Sequence, residues 1–413
     1  MADLRIKNNA TDPDAPGSGT YMLYPKSDGW YQQNSSASIA RLLTTALLSG
    51  TSSQVLAGDG TVRDLFLIDV VKTVGSGKDF ATIQEAIDWF KDYIIVSGCR
   101  IDIDAGTYSE NLDISGLLIV APDGLEIRGD SRQVAGKTFI NGNTNINVYG
   151  AYSVMSNGGT GACTITKNDT NKTLTIACAT TNPDFQTDGW VAGDTVMTYD
   201  GTTWTEHTLT AVSGNILTKS TAWPTITTNF AVVFCPKVKL SSPLAANGDH
   251  VYVGSPNIFL HGLRLASSFS YAINGVHLTN AAVIRISRCF IEARGRGVFL
   301  ERSSVISNGL YYPNTLRGYA NNGQGAFAVH KSTIQLTGMV VFDYYYGFFS
   351  RDVSFCEFNY TAGIKNTVTY YAMNMAYMGA YGSNSYSHVS DDYSPNANTE
   401  STNNNSYINT ATN

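Results

Sequence analysis

An all-β fold, built as a parallel β-helix behind one capping α-helix, is what this 413-residue sequence predicts. Three observations carry the prediction. Residues 79–92 hold one clear amphipathic helix pattern, and no second of comparable strength follows. Short β-type segments then recur roughly every 20–30 residues, the period of a solenoid coil. The composition is low in charge (15%) and rich in Gly (38) and Tyr (24), which suits short strands, tight turns and stacked polar rows better than a helical enzyme.

Residues 1–64 form a compositional unit of their own. Pro13, Pro16, Gly17 and Gly19 make a turn-rich entry. Asp28-Gly29 is a hairpin signal between 21–24 and 30–33. So small a β module has little core and is expected to lean on a partner or another copy. Residues 50–65 read as a linker.

Residues 65–150 read as the cap and the first coils. Asp79 is placed to cap the helix. Phe80, Ile83, Ala86, Ile87 and Phe90 form its apolar face, and Gln84, Glu85, Asp88, Lys91 and Asp92 lie mostly opposite. Gly98 ends the segment. In 100–105 the period becomes two, with Ile101 and Ile103 facing one way and Asp102 and Asp104 the other. Further strands are expected at 114–120, Leu125–Arg128 and 139–148.

Residues 151–235 break the coil pattern. Strand candidates at 164–166, 173–177, Thr195–Tyr199, 203–209, 215–218 and Ala231–Phe234, joined by Gly-rich turns, predict an inserted small antiparallel β-barrel. The main coils return over 236–378, with units opening at 257–260, 283–286, 304–307, 332–336 and 353–355. The segments 261–267, 287–293, 337–343 and 356–362 supply the following strand in four units. Residues 379–413 are a polar Asn/Ser/Thr-rich tail with Val389 and Ile408 as aliphatic anchors.

Net charge is −6 with no basic block, which argues against nucleic-acid binding. No apolar run reaches membrane-spanning length, so no membrane insertion is expected. MADLRIKNNATD has no apolar leader, which predicts synthesis in a cytosol without conventional export. The six cysteines (99, 163, 178, 235, 289, 356) form no CxxC pair and read as small buried hydrophobes. The six histidines are dispersed. No metal site and no cofactor is expected, and no phosphate loop, GxSxG elbow or Cys/His dyad is visible.

Two stretches carry family resemblances. Pro13, Pro16, Gly17, Ser18, Gly19, Leu23, Tyr24, Lys26, Asp28, Gly29 and Tyr31, followed by Gln54, Val55, Leu56, Gly58, Asp59, Gly60 and Thr61, resemble the N-terminal part of bacteriophage tail-fibre and related virion proteins. Gly106, Tyr108 and Glu110 of GTYSEN, with FATIQEAID before them, resemble the start of pectin methylesterases and so of pectin-lyase-like right-handed parallel β-helices. The esterase motifs reading like QDT, DFIFG and LGRPW are absent. That resemblance therefore implies the opening of the fold and no catalytic residue.

The resemblances imply a structural virion protein of the tail-fibre or tailspike kind. It would be anchored to other virion proteins through residues 1–64, assembled as a homotrimer, and would contact host cell-surface polysaccharide. An alternative is a polysaccharide depolymerase (glycosidase or lyase) or a pectinesterase-like carbohydrate esterase. A second is a non-adhesive head fibre or collar component. Tailspike depolymerases on this fold use paired carboxylates in a groove. The coil acids are Asp249, Glu292, Glu301, Asp343, Asp352 and Glu357, of which Glu292, Glu301 and Asp343 are catalytic candidates. Glu292 and Glu301 fall in one coil beside Arg294, Arg296 and Arg302, a pattern that a solvated ion-pair cluster also satisfies. Tyr311, Tyr312, Tyr344, Tyr345, Tyr346 and Trp204 are candidates for glycan stacking or inter-chain packing, with Tyr370, Tyr371, Trp190 and Trp223 behind them.

Overall fold

The computed structural model describes residues 66–141, 163–178 and 182–379, short gaps aside. Outside these spans it describes the backbone of strands at Leu4–Ile6, Tyr21–Lys26, Gly29–Gln33, Ile39–Thr44, Gln54–Leu56, Val62–Asp64, Asn384–Tyr386 and Tyr407–Asn409.

The body is all-β. Three parallel sheets, of ten, eight and seven strands, run the length of a β-helix, and each full coil contributes one strand to each sheet. One such coil is Ile258–His261, Leu263–Ala266 and Ile273–Thr279. The next is Val283–Ser287, Phe290–Glu292 and Arg296–Glu301. In-register stacking places like residues over like. Cys99, Leu125, Ile258, Ile284, Val305, Ile334, Cys356 and Met378 form one buried column of the ten-stranded sheet. Val251, Val276, Val298, Ala326, Phe348 and Tyr370 form another in the seven-stranded sheet. Each fully buried aliphatic or aromatic chain contributes roughly 1.5–3 kcal/mol, so the columns hold the stack. Buried Asn314 and Asn366 satisfy the corners. Each accepts from a backbone N–H (Cys289, Tyr344) and donates to a carbonyl (Ile286, Val341).

The cap helix, α1, spans Ile83–Phe90, and Ile83, Ala86, Ile87 and Phe90 join the coil core. Its N-cap is Thr82, not Asp79. Thr82 and Glu85 form a capping box, in which each side chain accepts from the other's backbone N–H. Asp79 instead accepts from the N–H and hydroxyl of Thr73. Phe80 bridges to Val74 ahead of the helix. Glu110, from the GTYSEN motif, accepts from the free N–H groups of Ile83 and Gln84. It therefore ties the first coil to its cap.

After Leu125–Arg128 the chain leaves the coil, and it rejoins at Val238–Ser241. Between these lie two four-stranded antiparallel sheets. The first strand, Thr138–Ile140, precedes residue 151 and pairs with Ala231–Phe234. Phe139, Phe185, Trp190, Trp223, Phe230 and Phe234 fill a core between the sheets, so Trp190 and Trp223 face inward rather than toward a ligand. Cys163 stands opposite Cys178 and the two are joined by a disulfide, which corrects the expectation of six free thiols. The other four cysteines are free and buried.

The expected hairpin is present: Tyr21–Lys26 pairs antiparallel with Gly29–Gln33 in a four-stranded sheet. In the polar tail, Tyr407–Asn409 pairs with Tyr377–Gly379 as the last strand of the ten-stranded sheet. Val389 lies outside the described residues. Among the described residues, no helix is long and apolar enough to cross a membrane.

The corner entering the seven-stranded sheet is set by a column of glycines, Gly275, Gly297, Gly325 and Gly347. A Cβ on Gly297 would stand 2.7 Å from the Gly325 carbonyl oxygen and 3.0 Å from the Tyr344 hydroxyl. Gly297→Ala should therefore lower stability by about 1–3 kcal/mol. A urea midpoint unchanged from the parent chain would contradict this close approach.

Candidate functional site

The glycine column organises the outer face of the seven-stranded sheet. Four of its strands repeat one pattern: an outward residue, Gly, an inward apolar residue, then an outward ring. The units are Asn274-Gly275-Val276-His277, Arg296-Gly297-Val298-Phe299, Gln324-Gly325-Ala326-Phe327 and Tyr346-Gly347-Phe348-Phe349. The rings stack in register. Centroids are 4.5 Å apart for His277–Phe299, 5.3 Å for Phe299–Phe327 and 4.5 Å for Phe327–Phe349, and Tyr371 follows. Asn274, Arg296 and Gln324, the residues before the first three glycines, line a groove of about 660 Å³ that crosses four coils. Asn247, Asn274, Arg294, Arg296 and Gln324 supply its polar groups, and Gly248, Gly295 and Gly323 keep it open.

Arg296 lies flat on the ring ladder, with its guanidinium carbon 4.0 Å from the Phe299 centroid and 5.2 Å from that of Phe327. Its Nε donates to Gln324 Oε1. Tyr346 continues the column beyond Gln324. Tyr345 packs edge-on against Tyr346 and is 44% exposed. Tyr344 is buried, and its hydroxyl donates to the Arg317 carbonyl. Tyr344 and Tyr345 lie in the turn before Tyr346–Arg351, so that turn, rather than strand alternation, decides which ring faces out. Tyr311 and Tyr312 lie outside the described residues.

Acids and imidazoles also alternate across coils: Asp249 stands in the column of Asn274 and Arg296, His277 is the first ring of the ladder, and Glu301 lies beyond it. Asp249 accepts from Asn274 and pairs with His277 Nδ1 at 2.8 Å. His277 Nε2 is 3.5 Å from Glu301, which is 3.6 Å from His330, itself 3.7 Å from Asp352. Histidines dispersed in sequence thus meet on one face. Among the described residues, no cluster of His, Cys, Asp or Glu has metal-binding geometry.

Glu292 lies on a different sheet from Glu301. It is buried on the outer face of the eight-stranded sheet, where its two oxygens accept from Arg264 Nε and Arg317 Nη1. Its partners are therefore not the neighbouring Arg294, Arg296 and Arg302. Arg264 also reaches Glu206 of the antiparallel module at 2.6 Å. Asp343, buried nearby, accepts from Trp204 Nε1 at 2.6 Å, and Trp204 packs edge-on against Phe342. Ile140, Tyr199 and Ala231 cover Val340 and Phe342, and Met197, Val233 and Cys235 cover Phe290. Glu292, Asp343 and Trp204 thus meet in the joint between module and coils, where both Glu292 oxygens and the Trp204 Nε1–H are engaged.

The groove itself was missed in the sequence. The signal for it is the recurring residue–Gly–apolar–ring pattern, whose glycines read as turns.

The geometry defines an all-β parallel β-helix with a polar groove at one corner. No family model and no curated protein matches the chain. Similar solved structures include gp54, a tailspike of Acinetobacter baumannii bacteriophage AP22 in complex with A. baumannii capsular saccharide, at 12% identity over 73% of this chain and 62% of that one, TM-score 0.17. Two others are tailspike gp49 of Pseudomonas phage LKA1 (10%, 78% and 61%, TM-score 0.18) and tailspike gp61 of Pseudomonas phage phi297 (12%, 75% and 68%, TM-score 0.14). The chain spans 62% and 61% of the length of the first two.

Two predictions follow from the buried groups. Glu292→Ala leaves Arg317 buried without its carboxylate and Arg264 with Glu206 alone, and should cost roughly 3–5 kcal/mol in chemical unfolding. A normal unfolding curve would show that Glu292 does not hold the joint. Burial, and for His207 also the neighbouring Lys219, pushes the pKa of His207 and His250 down to about 4 from 6.5. The unfolded chain therefore binds more protons in that window. The stability these groups contribute is present above about 6.5 and is lost as pH falls toward about 4. His250→Gln should flatten that slope in melting temperature measured against pH.

Proposed function

We propose that this chain is a phage virion protein of the tailspike or tail-fibre kind that attaches the particle to host surface polysaccharide. The observation that carries the reading is the groove across four coils, floored by small residues and walled by amide and guanidinium groups, with exposed Tyr345 packed on Tyr346 in the next coil of the same sheet. A linear polymer of hydroxylated rings matches such a track. Its repeats would lie along stacked coils about 4.8 Å apart, polar edges on Asn and Gln, faces on tyrosine. The sequence resemblance over residues 1–61 supports a virion anchor in residues 1–64. A homotrimer would present three grooves and gain strength by multivalency.

The purified chain should be retained on immobilised surface polysaccharide from a susceptible host and should compete with phage adsorption. Light scattering should give three times the mass of one chain. Deleting residues 1–64 should abolish incorporation into particles and leave polysaccharide retention intact. Retention by no host glycan would refute the attachment reading, and particles that still incorporate the shortened chain would refute the anchor.

A further inference from the structure

The groove's wall is rich in donors. Gln324 spends its Oε1 on Arg296, and Asn247 spends its Oδ1 on the Ala272 N–H, so both side-chain NH2 groups remain for a ligand. Arg296 uses only Nε, and among the described residues no carboxylate lies within 4 Å of its guanidinium. The nearest acids are already engaged. Asp249 is held by Asn274 and His277, and Glu301 faces His277 and His330. The guanidinium is also prevented from swinging away, because it rests on Phe299 and Phe327. A second arginine, Arg294, lines the same groove.

A rigid, unpaired, planar cation flanked by amide donors is the arrangement that binds a planar anion in a forked pair. From this we infer that the groove selects polysaccharides carrying a carboxylate, such as a uronic acid, and that Arg296 is the residue that reads it. This rests on the polysaccharide-attachment reading. One unpaired guanidinium with two amide donors suits a planar monoanion better than a phosphate dianion. In an uncharged glycan those donors would meet only hydroxyls, which bind them more weakly.

The test uses the full chain on an array of purified bacterial capsular and O-antigen polysaccharides. Each retained polysaccharide is then offered with its carboxylates reduced to alcohols. Retained glycans should carry carboxylate, and reduction should weaken binding about tenfold or more. Arg296→Gln should match that loss and Arg296→Lys should recover part of it. Neither variant should discriminate between native and reduced glycan as the parent does. Binding should weaken with added salt. Gln324→Ala, which spares the stacked guanidinium, should lose less and serves if Arg296→Gln does not fold. Retention of neutral or phosphate-only glycans, or binding indifferent to carboxyl reduction, overturns carboxylate selection and leaves polysaccharide attachment standing. Retention of no glycan at all overturns both.

Discussion

The molecule depends on how closely successive backbones can approach at one corner. At Gly275, Gly297 and Gly325 the chain enters the seven-stranded sheet with no room for a β-carbon, because the next coil's carbonyl occupies that space. Fixing that corner fixes the register of what flanks it. The residue before each of the first three glycines faces the groove, the next but one after it joins the ring ladder, and the one between closes the core. Core, ladder and groove are thus three readings of one local constraint. A change in the corner would disturb all three together.

A second constraint is the joint between the coils and the antiparallel module. It is partly apolar, through Tyr199, Phe342, Met197 and Phe290, and partly ionic, through Arg264, Glu292, Arg317 and Glu206. A buried ion network adds little net stability over an apolar joint, but it penalises every misplacement that strands a charge. That fits a module inserted within a single coil, whose position on the outer face must be unique for the solenoid beneath it to close.

Much of the body was legible in sequence, because apolar β-type runs recur where each coil enters the ten-stranded sheet. Leu125–Arg128, Thr195–Tyr199 and Ala231–Phe234 were read with their observed bounds. The strands of the seven-stranded sheet are less legible, since a glycine near the start of Ile273–Thr279, Arg296–Glu301, Gln324–Val329 and Tyr346–Arg351 mimics a turn. The N-cap was misplaced by three residues because Asp79 and Thr82 are both good caps, and only the second has Glu85 at the box position. Partnerships were the least legible. In a β-helix a side chain's neighbours sit one coil away, so Glu292 meets Arg264 and Arg317 rather than the arginines beside it in sequence. The disulfide was hidden for a related reason: Cys163 and Cys178 become neighbours only once their strands pair antiparallel.

The same geometry explains why the candidate acids part company. Glu292 and Glu301 belong to one coil, yet a strand change between them turns the chain from the eight-stranded to the seven-stranded sheet. The first is drawn into the joint and compensated by two guanidinium groups. The second enters a row of imidazoles. A buried carboxylate must find cations or lose its charge, whereas a half-exposed one keeps water as a partner. Arg296 sits between these outcomes. The ring ladder removes water from one side of its guanidinium, and among the described residues no carboxylate lies within 4 Å of the other. That cation is held by the rings, by Gln324 and by the more distant charges of Glu301 and Asp249, and it keeps donors for what enters the groove.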